Sequence, residues 1–218
     1  MSPIRGFIFD LDGVITETSE FHYQSWQRLA DEEGLSFTRE DNEQLRGVSR
    51  RESLLRLLKG KTLPEATIQD YLYRKNAYYQ EYLHTMSPDN ILAGVHDFLV
   101  DAQKHKLKLG IGSASRNARP VLEKLDLLDM FEVIGDGYSV VNGKPAPDLF
   151  VWVSGGLSLP PNEVVVFEDA EAGVTSAKSA GCKTVGIGSA DNVGHADTRV
   201  DGLHDITVKQ VLQLFGNV

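Results

Sequence analysis

Phe7-Ile8-Phe9-Asp10-Leu11-Asp12-Gly13-Val14 is an apolar run that stops abruptly at two carboxylates spaced i, i+2. A run of this length reads as a buried parallel strand, and open α/β sheets carry their sites at the C-terminal ends of such strands. Side chains alternate along a strand, so both aspartates leave it on the same side. Two carboxylates so placed invite a divalent cation, and one of them is able to act as a nucleophile. Two surface aspartates at a strand end are the plainer reading. Gly13 allows a sharp turn directly after the acids.

Further short apolar runs at 108–112, 131–134, 164–167 and 184–187 join the first, at 4–9, as strand candidates. Helical patterns separate them. Over 95–106, Val95, Phe98, Leu99 and Ala102 share one face. At 117–125, Asn117 and Pro120 are start signals, and a pattern at 172–180 follows the fourth strand. Strands alternating with helices imply a mostly parallel, doubly wound sheet. Residues 16–85 break that rhythm with helix patterns at 21–33, 39–45, 50–58 and 64–83, punctuated by Gly34, Gly47 and Gly60. This is too much helix for one crossover. An all-helical subdomain, residues 16–85, is expected to be inserted in an α/β core made of 1–15 and 86–218, with 16–19 and 85–88 as linkers.

The 218 residues suffice for one such core and an insertion. The chain is 41% hydrophobic and 24% charged, ordinary for a soluble globular protein. A net charge of -9 argues against general affinity for nucleic acid or anionic membrane, but not against a phosphorylated substrate held in a local positive pocket. Cys182 is the only cysteine, so no intramolecular disulfide forms, and it reads as small core filling. No run approaches a membrane span, and the apolar segment after Arg5 is too short for a signal peptide. The expectation is a reduced, cytoplasmic protein.

Three more clusters sit at strand ends. In Gly112-Ser113-Ala114-Ser115-Arg116-Asn117, a hydroxyl and small residues lead into a helix start, which suits a phosphate; a Ser/Asn helix cap is the alternative for Asn117. Ser113 and the Ala114 amide are the candidate phosphate donors. In Gly143-Lys144-Pro145, a lysine on a stiff loop is placed to neutralise a transferring phosphoryl group, where a lone lysine would be a solvated loop charge. In Val164-Val165-Val166-Phe167-Glu168-Asp169, a second apolar strand ends in acids. Two buried strand ends that both finish in acid pairs require a counter-charge.

Asp10-Leu11-Asp12-Gly13-Val14, Ser113, Lys144 and Glu168-Asp169, in that order, resemble the four motifs of the haloacid dehalogenase superfamily of phosphotransferases. The resemblance covers essentially the whole chain and makes the helical insertion similar to that superfamily's mobile cap. It implies Asp10 as the phosphoryl carrier, Asp12 as general acid and base, and Ser113 and Lys144 as supports of the transferring group. One Mg²⁺ per chain is implied at Asp10, the Asp12 backbone carbonyl, Glu168 and Asp169.

The cap stretches Thr16 to Trp26, Leu45 to Ser53 and Arg74-Lys75-Asn76, with Ser113 to Asn117 and Lys144 to Phe150, are similar to the superfamily's sugar phosphomutases. That resemblance implies interconversion of β-D-glucose 1-phosphate and glucose 6-phosphate, with β-glucose 1,6-bisphosphate as primer and intermediate. A bisphosphate needs a second anion site, for which Arg50 offers a bidentate fork, met on cap closure by Ser115, Arg116 and Asn117. Gly47 and Val48 would touch the sugar, and Ser53 and Ala114 belong to the same set. Trp26 is a candidate pocket wall, although aromatics at helical spacing also pack cores. His22 and Lys75 would hold Asp12 productive only when the cap is closed; for His22 a local hydrogen bond on a helix face is the alternative. Arg46 and Arg116 stand where the family often has lysine, and Glu17 where a shorter acid is usual. A monomer with a small sugar-phosphate substrate is expected, without nucleic-acid or membrane partners. A sugar-phosphate phosphatase on the same scaffold is the first alternative, and a non-catalytic sugar-phosphate sensor the second.

Overall fold

The computed structural model describes residues 3–45 and 47–216. In chain order these form β1 (Gly6–Phe9), α1 (Ser19–Glu33), α2 (Arg39–Glu43), α3 (Arg50–Leu57), α4 (Glu65–Leu83), α5 (Val95–Lys104), β2 (Lys108–Gly112) and α6 (Ala118–Lys124). They continue with β3 (Val133–Gly135), α7 (Asp148–Gly156), β4 (Val164–Glu168), α8 (Glu171–Ala180), β5 (Lys183–Ile187), α9 (Ala190–Val193), β6 (Thr198–Val200) and α10 (Val208–Leu214). The sheet order is β3-β2-β1-β4-β5-β6. Every pairing is parallel, so the sheet is parallel throughout rather than mostly so.

The two-residue period of a strand explains why both faces are covered. On β1 and β4, Phe7, Phe9, Val165 and Phe167 turn to one side and pack with Phe98 of α5 and Val121 of α6. Ile8, Val164 and Val166 turn to the other and meet Leu149, Phe150 and Val153 of α7 and Ala177 of α8. Phe9 and Phe167 are register partners with rings stacked 4.7 Å apart, so the two central strands are locked at their C-terminal ends. Those are the ends that carry the acids.

Helices α1 to α4 form a cluster of their own around Trp26, Leu29, Leu54, Leu57, Ile68 and Tyr71. The helix α1 ends at Gly34 in the left-handed conformation, as the glycine suggested. The two chain segments that join these helices to the sheet run side by side. Thr16 bridges both Asp12 and Ile91, and its hydroxyl donates to the Asn90 carbonyl at 2.7 Å.

Four elements go beyond those expected from the sequence: α7, α9, the edge strand β6 and α10. The strand β6 is only Thr198-Arg199-Val200 with no fully buried residue, so it has no apolar signature. The expected strand at 131–134 starts later, at Val133, because Phe131 closes a short 3₁₀ turn at Leu128–Met130.

Candidate active site

Asp10 is the first residue past β1, its amide donating to the Phe167 carbonyl at 2.9 Å, and Glu168 is the last residue of β4. Strand adjacency therefore brings the two acid pairs together. Between them lies the fully buried Lys144, whose Nζ donates to Asp10 Oδ1 at 2.7 Å and to Glu168 Oε1. The counter-charge required by the sequence is this lysine, delivered by the loop between β3 and α7. Burial disfavours its ammonium, but the two carboxylates outweigh that and raise its pKa. Burial pushes the Glu168 carboxyl up, with Lys144 opposing.

Oxygens of Asp10, Glu168 and Asp169 all lie within 4.8 Å of one another. Three carboxylates gathered in this way form an all-oxygen donor set, which suits a hard divalent cation. The residues fit Mg²⁺ on that ground. Gly13 has φ +81°, and a Cβ there would collide with the Asp169 carboxylate, so the turn that frames this cluster demands glycine.

The Asp12 carboxylate stands apart from the three. It accepts from the Thr18 hydroxyl, which in turn accepts from Tyr79 OH at 3.1 Å. Its side chain is 28% exposed, yet desolvation and the nearby Asp10 charge push its carboxyl up to about 7. His22 Nε2 lies 4.0 Å from Asp12 Oδ2, and Lys75 Nζ lies 2.7 Å from His22 Nδ1. Burial, then the Lys75 and Arg50 charges, holds His22 well below its usual pKa. Burial and Arg50 likewise hold Lys75 well below the lysine range, with Asp12 opposing. A neutral His22 accepts at Nδ1 from Lys75, which orients the ring toward Asp12.

Ser113 is buried past the end of β2, its amide tied to the Gly135 carbonyl and its Oγ accepting from Ser115 N at 3.1 Å. Ala114, Ser115 and Arg116 follow it into a pocket. Asp10, Asp12 and Asp169 form the pocket's sheet side. His22, Trp26, Gly47, Val48, Arg50, Ser53 and Lys75 line it from the helical segment. Trp26 is at once a wall and a core residue, 2% exposed, so both readings of it hold. Lys144, Glu168 and Asn117 do not line the pocket. The first two lie beneath it, and Asn117 gives its side-chain amide to Asn76 Oδ1 at 2.9 Å. Asn117 occupies the N-cap position of α6 but makes no cap bond, so the helix-cap reading fails. Arg46 lies outside the described residues.

The sequence reading gave no role to Thr18, Tyr79, Asn76 or Asn42. Asn42 lines the pocket from α2, and Thr18 and Tyr79 are buried polar groups chained to Asp12. Asn76 lay inside a quoted motif, and Thr18 inside another, which is the only signal the sequence held for them.

The model of the haloacid dehalogenase-like hydrolase family matches residues 7–187, and the chain belongs to that family. A β-phosphoglucomutase of Bacillus subtilis (strain 168) is 36% identical over 210 residues, covering 94% of this chain and 93% of that protein. The crystal structure of a β-phosphoglucomutase from Clostridium difficile is similar at a TM-score of 0.95 and 34% identity, covering 98% of each chain. A phosphorylated carbohydrates phosphatase of Thermotoga maritima is 29% identical over 218 residues, 99% of this chain and 100% of that one.

Proposed function

We propose that this enzyme is a β-phosphoglucomutase, converting β-D-glucose 1-phosphate and glucose 6-phosphate through β-glucose 1,6-bisphosphate. One observation carries the reading: a single pocket joins the acid cluster to two guanidiniums, Arg50 and Arg116. Burial and the facing Arg116 charge lower the pKa of Arg50. Among the described residues no carboxylate pairs with either arginine. Two cations held together without an anion are a site prepared for one, and that suits a second phosphate.

In the proposed cycle an Asp10 oxygen attacks phosphorus, and the phosphorus bond to the sugar oxygen breaks. Asp12 gives its proton to that leaving oxygen. With the 1-phosphate of the bisphosphate as donor, glucose 6-phosphate then leaves and β-glucose 1-phosphate enters. Asp12 takes a proton from its 6-hydroxyl, which attacks the phosphorylated Asp10, forming the bisphosphate again and freeing the carboxylate. The bisphosphate then turns end for end before the next transfer to Asp10, so each phosphate in turn occupies the Arg50 and Arg116 site. Asp10, Glu168, Asp169 and the Asp12 carbonyl would hold Mg²⁺, which offsets charge on the transferring phosphoryl group. Ser113 and Lys144 orient and neutralise that same group. The helical segment, residues 16–85, acts as the cap that excludes water, so that a sugar rather than water accepts the phosphoryl group. Gly47 and Val48 contact the sugar. A small sugar phosphate is the proposed substrate, and a monomer the proposed state. No helix of the described residues is long and apolar enough to cross a membrane, and the cytoplasm is the proposed setting.

The test is a coupled assay with both glucose 1-phosphate anomers, with and without the bisphosphate, while phosphate release is followed. The β anomer should be isomerised, primed by bisphosphate, with little phosphate released, and Asp10→Asn should abolish turnover. Phosphate release at full turnover without primer would make the protein a sugar-phosphate phosphatase instead.

A further inference from the structure

Tyr138 is one of the most exposed aromatic residues among the described residues, at 71%. It sits in the loop after β3, outside the pocket lining, and an exposed ring in such a place calls for a reason. Its ring lies against the Arg116 guanidinium, whose central carbon is 4.8 Å from the ring centroid. Arg116 Nε also donates to the Gly137 carbonyl at 3.3 Å. The Gly137 amide donates back to the Ser115 carbonyl at 3.1 Å. The two loops thus clasp each other on either side of the Arg116 side chain.

The clasp is stiff. Asp136 Oδ1 accepts from the Tyr138 amide at 2.9 Å and from the Ser139 hydroxyl at 3.2 Å. Ser139 Oγ in turn accepts from the Asp136 amide at 3.0 Å. Gly137 is required by close approach: a Cβ there would meet the Ala114 carbonyl oxygen at 2.7 Å and Arg116 Cγ at 2.8 Å. A turn stitched to itself presents Tyr138 in one direction, toward a guanidinium that pairs with no acid among the described residues.

We infer that Tyr138 is a positioning residue for the second phosphate: its ring, with the Gly137 carbonyl, holds the Arg116 fork aimed into the pocket opposite Arg50. The inference rests on the reading of Arg50 and Arg116 as that phosphate's site, and names what orients one half of it. It also gives the arginine a reason. A guanidinium stacks flat on a ring, donates through Nε to a carbonyl, and keeps its two terminal nitrogens for a phosphate. A lysine ammonium has no such division of donors. Part of the fork's rotational freedom is lost before the substrate arrives, so less remains to be lost on binding.

The experiment compares Tyr138→Ala, Tyr138→Phe, Arg116→Ala and the Tyr138→Ala/Arg116→Ala double variant. The readouts are kcat and KM for β-glucose 1-phosphate with bisphosphate, and hydrolysis of p-nitrophenyl phosphate, which has no second phosphate. Tyr138→Ala should raise KM by about 2- to 10-fold, more than it lowers kcat, and touch aryl phosphate hydrolysis far less. Tyr138→Phe, which keeps the ring, should stay near wild type. In the Arg116→Ala background the Tyr138→Ala effect should vanish. A full Tyr138→Ala effect without Arg116, equal loss on the aryl phosphate, or Tyr138→Phe as impaired as Tyr138→Ala would each overturn the inference while leaving the phosphate site standing. An Arg116→Ala variant with unchanged KM would remove the second-phosphate site at Arg116 and the inference with it.

Discussion

The Asn117 side-chain amide donates to Asn76 Oδ1 at 2.9 Å, joining the start of α6 in the sheet core to α4 in the helical segment. Asn117 is buried, donates through its side-chain amide to this link, and its side chain accepts no cap bond from its own helix. The bond spans the two halves that together line the pocket, and in the proposed cycle it belongs to the closed arrangement.

Asn76→Ala should therefore weaken closure. A neutral hydrogen bond contributes about 0.5–1.5 kcal/mol, so mutase turnover should fall by up to about tenfold. Aryl phosphate hydrolysis needs closure less and should fall less. The ratio of the two rates is the measurement, and an unchanged ratio would sink the role assigned to this bond.

Thr18 stands between Tyr79 and Asp12, accepting from one hydroxyl and donating to the other residue's carboxylate. Thr18→Val keeps the shape and removes the link. Asp12 then loses its fixed orientation, and kcat should drop by about tenfold or more with KM for the sugar phosphate little changed. Steady-state kinetics separate the two. A rise in KM alone would assign Thr18 to binding.

Asp197 ties the edge of the sheet together. Its Oδ2 accepts from the Thr184 amide at 2.8 Å and from the Thr184 hydroxyl at 3.1 Å. Burial opposes its charge, but the Thr184 donors and Lys178 outweigh that and lower its pKa below 3.8. A carboxyl with a lowered folded-state pKa stabilises the fold above its unfolded value, and that contribution is lost as pH falls through the folded value. Asp197→Ala should cost about 1–2 kcal/mol at pH 7, read by denaturant unfolding. The gap between variant and wild type should close as pH falls below 3.8. A gap independent of pH would mean that packing, not charge, is at stake.

Cys182 is buried, and burial pushes its thiol up to about 12. The thiolate is the reactive form, so the folded protein should resist a thiol reagent at pH 8 and react once unfolded. Rapid stoichiometric labelling of the native protein would contradict this.

Much of the molecule was legible from residue order. The apolar runs at β1, β2, β4 and β5 stand out because a strand buried on both faces has no polar positions to blur it. Where burial is slight the signal fades: β6 is three residues at a sheet edge, and nothing in Thr198-Arg199-Val200 marks it. The helix α7 is not among the expected helices; only its start, Asp148 to Phe150, falls within the Lys144 to Phe150 stretch.

The order of residues alone determined that two acid pairs end buried strands, that a lysine and a serine wait in the loops beside them, and that a helical block interrupts the core. These are local facts, set by periodicity, turn chemistry and composition. The fold decided which of these groups meet. Lys144 enters the gap between Asp10 and Glu168 because β1 and β4 are neighbours, 158 residues apart at Arg5 and Glu163 where a side-chain bond spans them. The Tyr79 to Thr18 to Asp12 chain and the Tyr138 hold on Arg116 arise in the same way. Such pairings depend on where side chains far apart in sequence are carried by packing, and no local pattern encodes that distance.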